Sequence, residues 1–374
     1  MKFTNFFNTK ISLRFTVVVF AAMLLTNCTN TNDWKTGIVE EQFIYDTASF
    51  PSCHASTIAE TPEGLIAAWF GGTYERNPDV CIYTSRNING KWSVPDSVAD
   101  GIQDENLRYP TWNPVLYQIP DGDLLLFYKV GPNPREWWGM LKHSTDHGKT
   151  WGEAVKLPEG YIGPVKNKPV LLDDGTLICP SSTEHNGWRV HFEITKDFGE
   201  TWEMVDPICD GRRYSVIQPS ILIHKNGDLQ ILCRSKNAVL ATSWSKDNGK
   251  TWSLIKESGL PNNQSGTDAV TLADGRHLVV YNHVKTPVNA KKGYRTPLNV
   301  AYSKDGKNWY ASLILEDSEI SQYSYPAVIQ SKDGMVHITY TWRREKIMYV
   351  KVDPTKMKGK KIIDEVWPGN PEWN

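Results

Sequence analysis

Apolar residues in this chain gather in short runs, paired across a turn, with no sustained helical spacing. Ala55-Ser-Thr-Ile-Ala-Glu-Thr-Pro-Glu-Gly-Leu-Ile-Ala-Ala-Trp69 and Asn113-Pro-Val-Leu-Tyr-Gln-Ile-Pro-Asp-Gly-Asp-Leu-Leu-Leu-Phe127 set the form: apolar strand, glycine turn, apolar strand. The unit returns at Lys168–Ile178, Gln218–Leu232, Asp268–Leu278 and Tyr325–Ile338, which makes six copies. Apolar runs bounded by turn residues predict strands, and an Asp-Gly or Asn-Gly between two of them predicts a hairpin. The runs are nearly continuous in these inner strands and alternate in the strands that follow, as expected for sheets packed face to face with a wet rim.

A second repeat interlocks with the first. Ser243-Trp-Ser-Lys-Asp-Asn-Gly-Lys-Thr-Trp252 has relatives at Ser144–Trp151, Thr195–Trp202, Ser303–Trp309 and, more worn, Ser85–Trp92. Its tryptophans, at 92, 151, 202, 252 and 309, recur every 50 to 59 residues, a period that signals a propeller or a repeat array. The Asp accepts backbone N–H groups across a turn, the Gly supplies a positive φ, and the Trp buries a large ring. One Asp per turn lacks the clustered oxygens of a calcium site, so the motif is structural. Together the repeats predict an all-β, six-bladed β-propeller with four-stranded antiparallel blades over residues 38–353. The sixth copy has Lys346–Val352 as its third strand and no fourth. Ile38–Tyr45, a strand without a partner of its own, is expected to fill that place and close the ring. The tail 354–374 is expected to pack irregularly on the outside.

Composition changes this picture little. The 374 residues include 15 Trp, 16 Tyr, 27 Gly and 22 Pro, the aromatics and turn formers of an all-β domain. A formal net charge of −1 gives no support for nucleic-acid binding. No metal-ligand spacing occurs, and no cofactor is implied. At the N-terminus, Lys2, Lys10 and Arg14 precede the apolar run Phe15–Leu25, too short to span a bilayer and followed by Leu25-Thr-Asn-Cys28. This reads as an export signal over 1–27 and resembles a bacterial lipoprotein cleavage box with Cys28 as the lipidated residue. Residues 28–37 would be a tether holding the protein at a periplasmic or outer-membrane surface. The remaining five cysteines sit mostly in apolar strands, which favours buried thiols over a disulfide framework.

Inner strands of a propeller converge on its axis, so polar residues at their starts are the candidates for chemistry. They are His54, Asn113, Lys168, Gln218, Asp268 and the pair Tyr323 and Tyr325; Arg234, Asn282, His283 and Arg343 stand at second-strand ends. A loop Gly71–Asp79, with Arg76 and Asp79, is placed to reach over the funnel. With these placements the repeats resemble the sialidase superfamily, in its branch of BNR-repeat "predicted neuraminidases". His54-Ala-Ser-Thr-Ile, Trp69-Phe-Gly-Gly-Thr, Tyr128-Lys-Val-Gly-Pro and Asn167-Lys-Pro-Val are the stretches most particular to that branch.

The resemblance implies Tyr323 as nucleophile, Asp79 as acid/base, and Arg234 and Arg295 as two of three carboxylate-binding arginines. His54 stands where the remaining arginine would be, and Gln218 where a glutamate would assist the tyrosine. An imidazole offers one donor, and an amide cannot accept the phenol's proton. The function implied is an exo-glycoside hydrolase releasing a terminal acidic sugar from a glycan. Two other readings stay open. A polysaccharide lyase acting at a uronate would give His54 or Tyr323 a proton-abstracting role. A non-catalytic glycan-binding lipoprotein would keep the scaffold alone. Arg76, Asn113, Lys168, Asp268 and Tyr325 are the further candidates for substrate contact, with Asp268 able to serve as a base should it lie near Tyr323.

Overall fold

A computed structural model describes residues 34–290 and 293–370; the stretch expected to be an export signal, and Cys28, lie outside the described residues. Six sheets, each built on four antiparallel strands, follow one another in chain order, and the protein is a six-bladed β-propeller. Blade four shows the plan: Val216–Ile223 is innermost, then Leu229–Ser235, Val239–Ser245 and Lys256–Pro261. Ile38–Phe43 pairs with Lys346–Val352 at the outer edge of blade six, so the last sheet is completed by the first strand, as its alternation predicts.

The recurring turn behaves as its chemistry requires. Asp247 Oδ1 accepts the Ser245 hydroxyl and the Thr251 N–H, and Oδ2 accepts the Thr251 hydroxyl. Those donors, led by the Thr251 hydroxyl, hold the Asp247 carboxyl down at about 2. In the worn copy Asn87 takes the aspartate's place and accepts the Gly90 N–H. The glycine has a second duty. A Cβ on Gly148, whose φ is +86°, would stand 2.4 Å from Ile66 Cδ1 of the preceding blade. Gly199 and Gly249 approach Leu141 and Ile178 in the same way. Each turn therefore wedges one blade against its predecessor, and buried aliphatic clusters fill the seams.

The tail does not lie irregularly on the outside. Lys360–Lys361 adds a fifth strand to blade five, and Trp367 is wholly buried beside Trp34 and His283. It follows Lys360–Lys361 inward because a fully buried indole outweighs the solvation of the short polar stretch that carries it. Cys53, Cys81, Cys179, Cys209 and Cys233 are free thiols, four of them buried.

Candidate active site

Four inner strands share one irregularity. The pairing of strands one and two slips after His54, Trp112, Ile217 and Ser324. At these bulges Ala55, Asn113, Gln218 and Tyr325 take φ values of 57°, 33°, 56° and 53°. A left-handed conformation costs a non-glycine residue about 1–2 kcal/mol, and a bulge turns a side chain away from strict alternation. Here it turns Gln218 and Tyr325 to the axis, at the face where the inner strands begin.

Tyr325 is the centre of the resulting pit. Arg234 Nη1 donates to its hydroxyl at 2.6 Å, and Gln218 Nε2 lies 3.5 Å from the same oxygen. The Arg295 guanidinium sits 5.4 Å from the ring centroid, Arg234 5.5 Å and Lys166 5.9 Å. The His54 ring packs on the other side, 4.1 Å between centroids. Gly266 makes room: a Cβ there would meet the Tyr325 ring and Gln218 Oε1 at 3.1 Å. Arg234 is held by the Gln264 carbonyl (2.5 Å), Gln218 Oε1 (3.3 Å) and the face of Trp188 (4.7 Å). Arg295 Nη1 has only the longer contacts to Gln322 Oε1 and Ser324 Oγ, at 3.4 and 3.3 Å. Neither guanidinium is paired with a carboxylate among the described residues.

Burial, and then the neighbouring Arg234 and Arg344, hold the Arg295 guanidinium down at about 10, against a partial offset from Tyr325. Burial, and then Arg344, Arg295, Arg234 and Lys166, push His54 far below the ordinary histidine range. Thr341 Oγ1 accepts the Ala55 N–H and lies 2.9 Å from His54 Nδ1. His54 is a neutral ring in a positive field.

The structure separates the expected residues into groups. Arg234, Arg295, Gln218, His54 and Tyr325 meet in the pit. Tyr323 does not: its hydroxyl contacts Ser318 Oγ at 2.5 Å, and its ring joins the aliphatic core with Leu298 and Val328. Asp268 is no free base. Its oxygens accept the Asn167 amide, the Ser220 hydroxyl, the Lys168 ammonium and the Ala269 and Val328 N–H groups. Burial would raise its carboxyl, but Lys168 and Lys166 outweigh that and hold it low. Asp268 and Lys168 thus satisfy each other in a polar plug. Asp79 turns back on its own loop, accepting the Thr73 N–H and hydroxyl. Arg76 is exposed at the tip of that loop, and Asn113 is buried at the blade-two bulge. Asn282 bonds the Pro297 and Tyr323 carbonyls, and His283 the Glu365 carbonyl; Arg343 lies over Trp342.

One functional candidate escapes a reading of strand starts. Arg344, two residues past the end of Val336–Trp342, adds a third guanidinium to the field felt by His54 and Arg295. It pairs with Glu75 of the blade-one loop at 2.8 Å, and so ties the loop that carries Asp79 to the arginine cluster. The sequence signal was available in Arg343-Arg-Glu345, a charged turn on the funnel side of the closing blade.

The model of the BNR repeat-like domain matches residues 63–338, most of the propeller. The chain belongs to this family, within the sialidase superfamily. A sialidase of Paraclostridium sordellii is 25% identical over 237 residues, 55% of this chain and 56% of that protein. The BNR-family chain spans about half the length of the curated relatives it matches. Among solved structures, a protein of unknown function from Dyadobacter fermentans superposes with a TM-score of 0.70 at 17% identity, over 86% of this chain and 99% of that one. The NanB sialidase of Streptococcus pneumoniae gives 0.67 at 13% identity, over 85% and 71%. These superpositions establish the shared fold.

Proposed function

We propose that this BNR-family protein is an exo-acting glycosidase that binds a terminal acidic sugar through its carboxylate, a sialic acid or a related sugar. The observation that carries the reading is the pair Arg234 and Arg295, set on two blades around Tyr325 and in no ion pair with a carboxylate among the described residues. Half-buried guanidinium groups without a carboxylate partner favour a planar, forked anion. Arg344 is the third donor, released when the incoming carboxylate replaces Glu75. Tyr325, rather than Tyr323, faces the anomeric carbon. Asp79 protonates the leaving oxygen once its loop turns inward, and the glycosidic C–O bond breaks as that proton arrives. Gln218 beside the phenol hydroxyl cannot take its proton. Attack by water on an oxocarbenium-like centre, with Tyr325 as the stabilising face, is therefore the form of hydrolysis the pit supports best.

One observation favours a second reading. His54 is held neutral against the Tyr325 ring, among cations that would neutralise a uronate. That is the arrangement a lyase uses: a base takes the proton α to the carboxylate and the bond to the neighbouring oxygen breaks. Incubation with a panel of sialylated and uronate oligosaccharides, with products weighed by mass spectrometry, separates the two. Hydrolysis adds a water across the broken bond, whereas elimination leaves an unsaturated sugar that absorbs in the ultraviolet. If no acidic sugar is bound or released, and Arg234→Ala and Arg295→Ala change nothing, the reading of the pit fails.

A further inference from the structure

A second cavity, of about 1020 Å³, opens between blades two and three. Its walls come from the segments leading into Trp138–Ser144 and Arg189–Thr195, together with residues 156–162 and Met204 and Pro207. The first two segments are the connections after the second strands, so they leave the blades at the end where Arg234 stands in blade four. A run of ring contacts joins the two places: His54 to Phe70 at 5.7 Å, Phe70 to Trp112 at 6.3 Å, and Trp112 to Trp137 at 6.0 Å. Trp137 is on the cavity wall.

The lining has a definite chemistry. Trp137, Trp138 and Tyr161 offer flat apolar faces, while Arg135, Lys156 and Arg189 bring three positive charges against the single carboxylate of Glu159. Lys156 Nζ lies 5.0 Å over the Trp138 ring, and Arg189 Nε donates to the Asn186 carbonyl at 3.0 Å. None of the three cations is in an ion pair with a carboxylate among the described residues. At the buried side, His191 Nε2 meets Glu193 at 2.9 Å, and its Nδ1 has no hydrogen-bond partner among the described residues.

We propose that this cavity is a second carbohydrate site, separate from the pit, that takes an anionic sugar unit, carboxylated or sulfated. Aromatic faces receive the C–H side of a sugar ring, and unpaired cations beside them select rings that carry charge. The volume is at the upper end of the roughly 300–1,000 Å³ that holds a compact ligand, enough for a short oligosaccharide. The inference goes beyond the reading of the pit and stands or falls without it.

The test is calorimetric titration of the full chain with a galacturonate trimer, galactose 6-sulfate (which carries no carboxylate) and neutral maltotriose. In the double variant Arg234→Ala, Arg295→Ala, which disables the pit, one saturable site for at least one charged probe is expected to remain. Lys156→Ala or Arg189→Ala in that background should weaken it about tenfold or more, the size of one lost charge-assisted hydrogen bond. Lys156 is exposed, so its variant folds even if Arg189→Ala does not. Which charged probe binds tells carboxylate from sulfate. No residual site, a residual site unchanged in both variants, or equal affinity for maltotriose each overturns the proposal. Loss of charged-probe binding in the cavity variants together with intact binding in the pit variants would support the cavity and sink the pit.

Discussion

Arg295→Met should make the protein more stable and less able to bind. Arg295 is held at about 10 chiefly because its guanidinium is buried, a gap from the ordinary arginine range worth about 3 kcal/mol against the charged form. The charge meets only two long hydrogen bonds and the face of Tyr325. The sign follows directly. A base whose folded value is depressed destabilises the fold at every pH below that value, so the cost applies across the physiological range. Methionine fills similar volume without a charge, and exchanges of this kind at buried ionic sites gain about 1–4 kcal/mol. With the lost ring contact subtracted, a gain of about 1–3 kcal/mol is expected, or roughly 1–4 °C in Tm for a chain of this size. Thermal unfolding with and without N-acetylneuraminic acid reads both effects. The wild type should gain stability from the sugar acid, and the variant should start higher and gain none. A variant less stable than wild type, or one that keeps the ligand's stabilisation, refutes the argument that Arg295 is an uncompensated charge kept for an anion.

The two tyrosines give a paired test. Tyr325→Phe should abolish release of acidic sugar, whereas Tyr323→Phe should preserve it and lose only about 1 kcal/mol of stability with its Ser318 contact; equal effects on activity would argue against the pit as drawn. Gly148→Ala combines a left-handed φ with an approach to Ile66 of 2.4 Å and should cost about 2–4 kcal/mol, measured by urea midpoint; a cost within a few tenths would show that blade seams yield easily. Burial holds His283 and His337 at about 4 and pushes His54 well below the ordinary histidine range, so the unfolded chain takes up protons first as pH falls. Stability should be level above pH ~6.5 and decline toward pH ~4 by up to about 1.4 kcal/mol per pH unit for each such histidine. His54→Gln should lessen that slope, and an unchanged slope would mean His54 is protonated in the fold.

The architecture was legible because propeller repeats carry their signal in local chemistry. Asp, Gly and Trp at fixed offsets specify a turn whatever surrounds it, and the unpaired strand at Ile38 left one place to go. The site was legible only in part. Tyr323 and Tyr325 are two apart, and strict alternation would put both on one face. The bulge at Tyr325 breaks that alternation, sending 323 into the core and 325 to the axis. No composition rule announces a left-handed tyrosine. Asp268 looked like an available base because its five donors come from four separate stretches of chain, which spacing cannot show. Arg344 was hidden for the opposite reason: it lies past a strand end, where position in a repeat no longer fixes direction.

Closure by Ile38–Phe43 also bears on how the molecule can be made. Ile38–Phe43 has nothing to pair with until Lys346–Val352 is synthesised, after five other blades. A chain halted before that point keeps an open edge at both ends of its arc, and such edges invite pairing with neighbouring chains. Completion is therefore all or nothing: the ring takes its final shape when Ile38–Phe43 meets Lys346–Val352, with Asp353 N–H bonded to Gly37 C=O at 2.8 Å as the clasp.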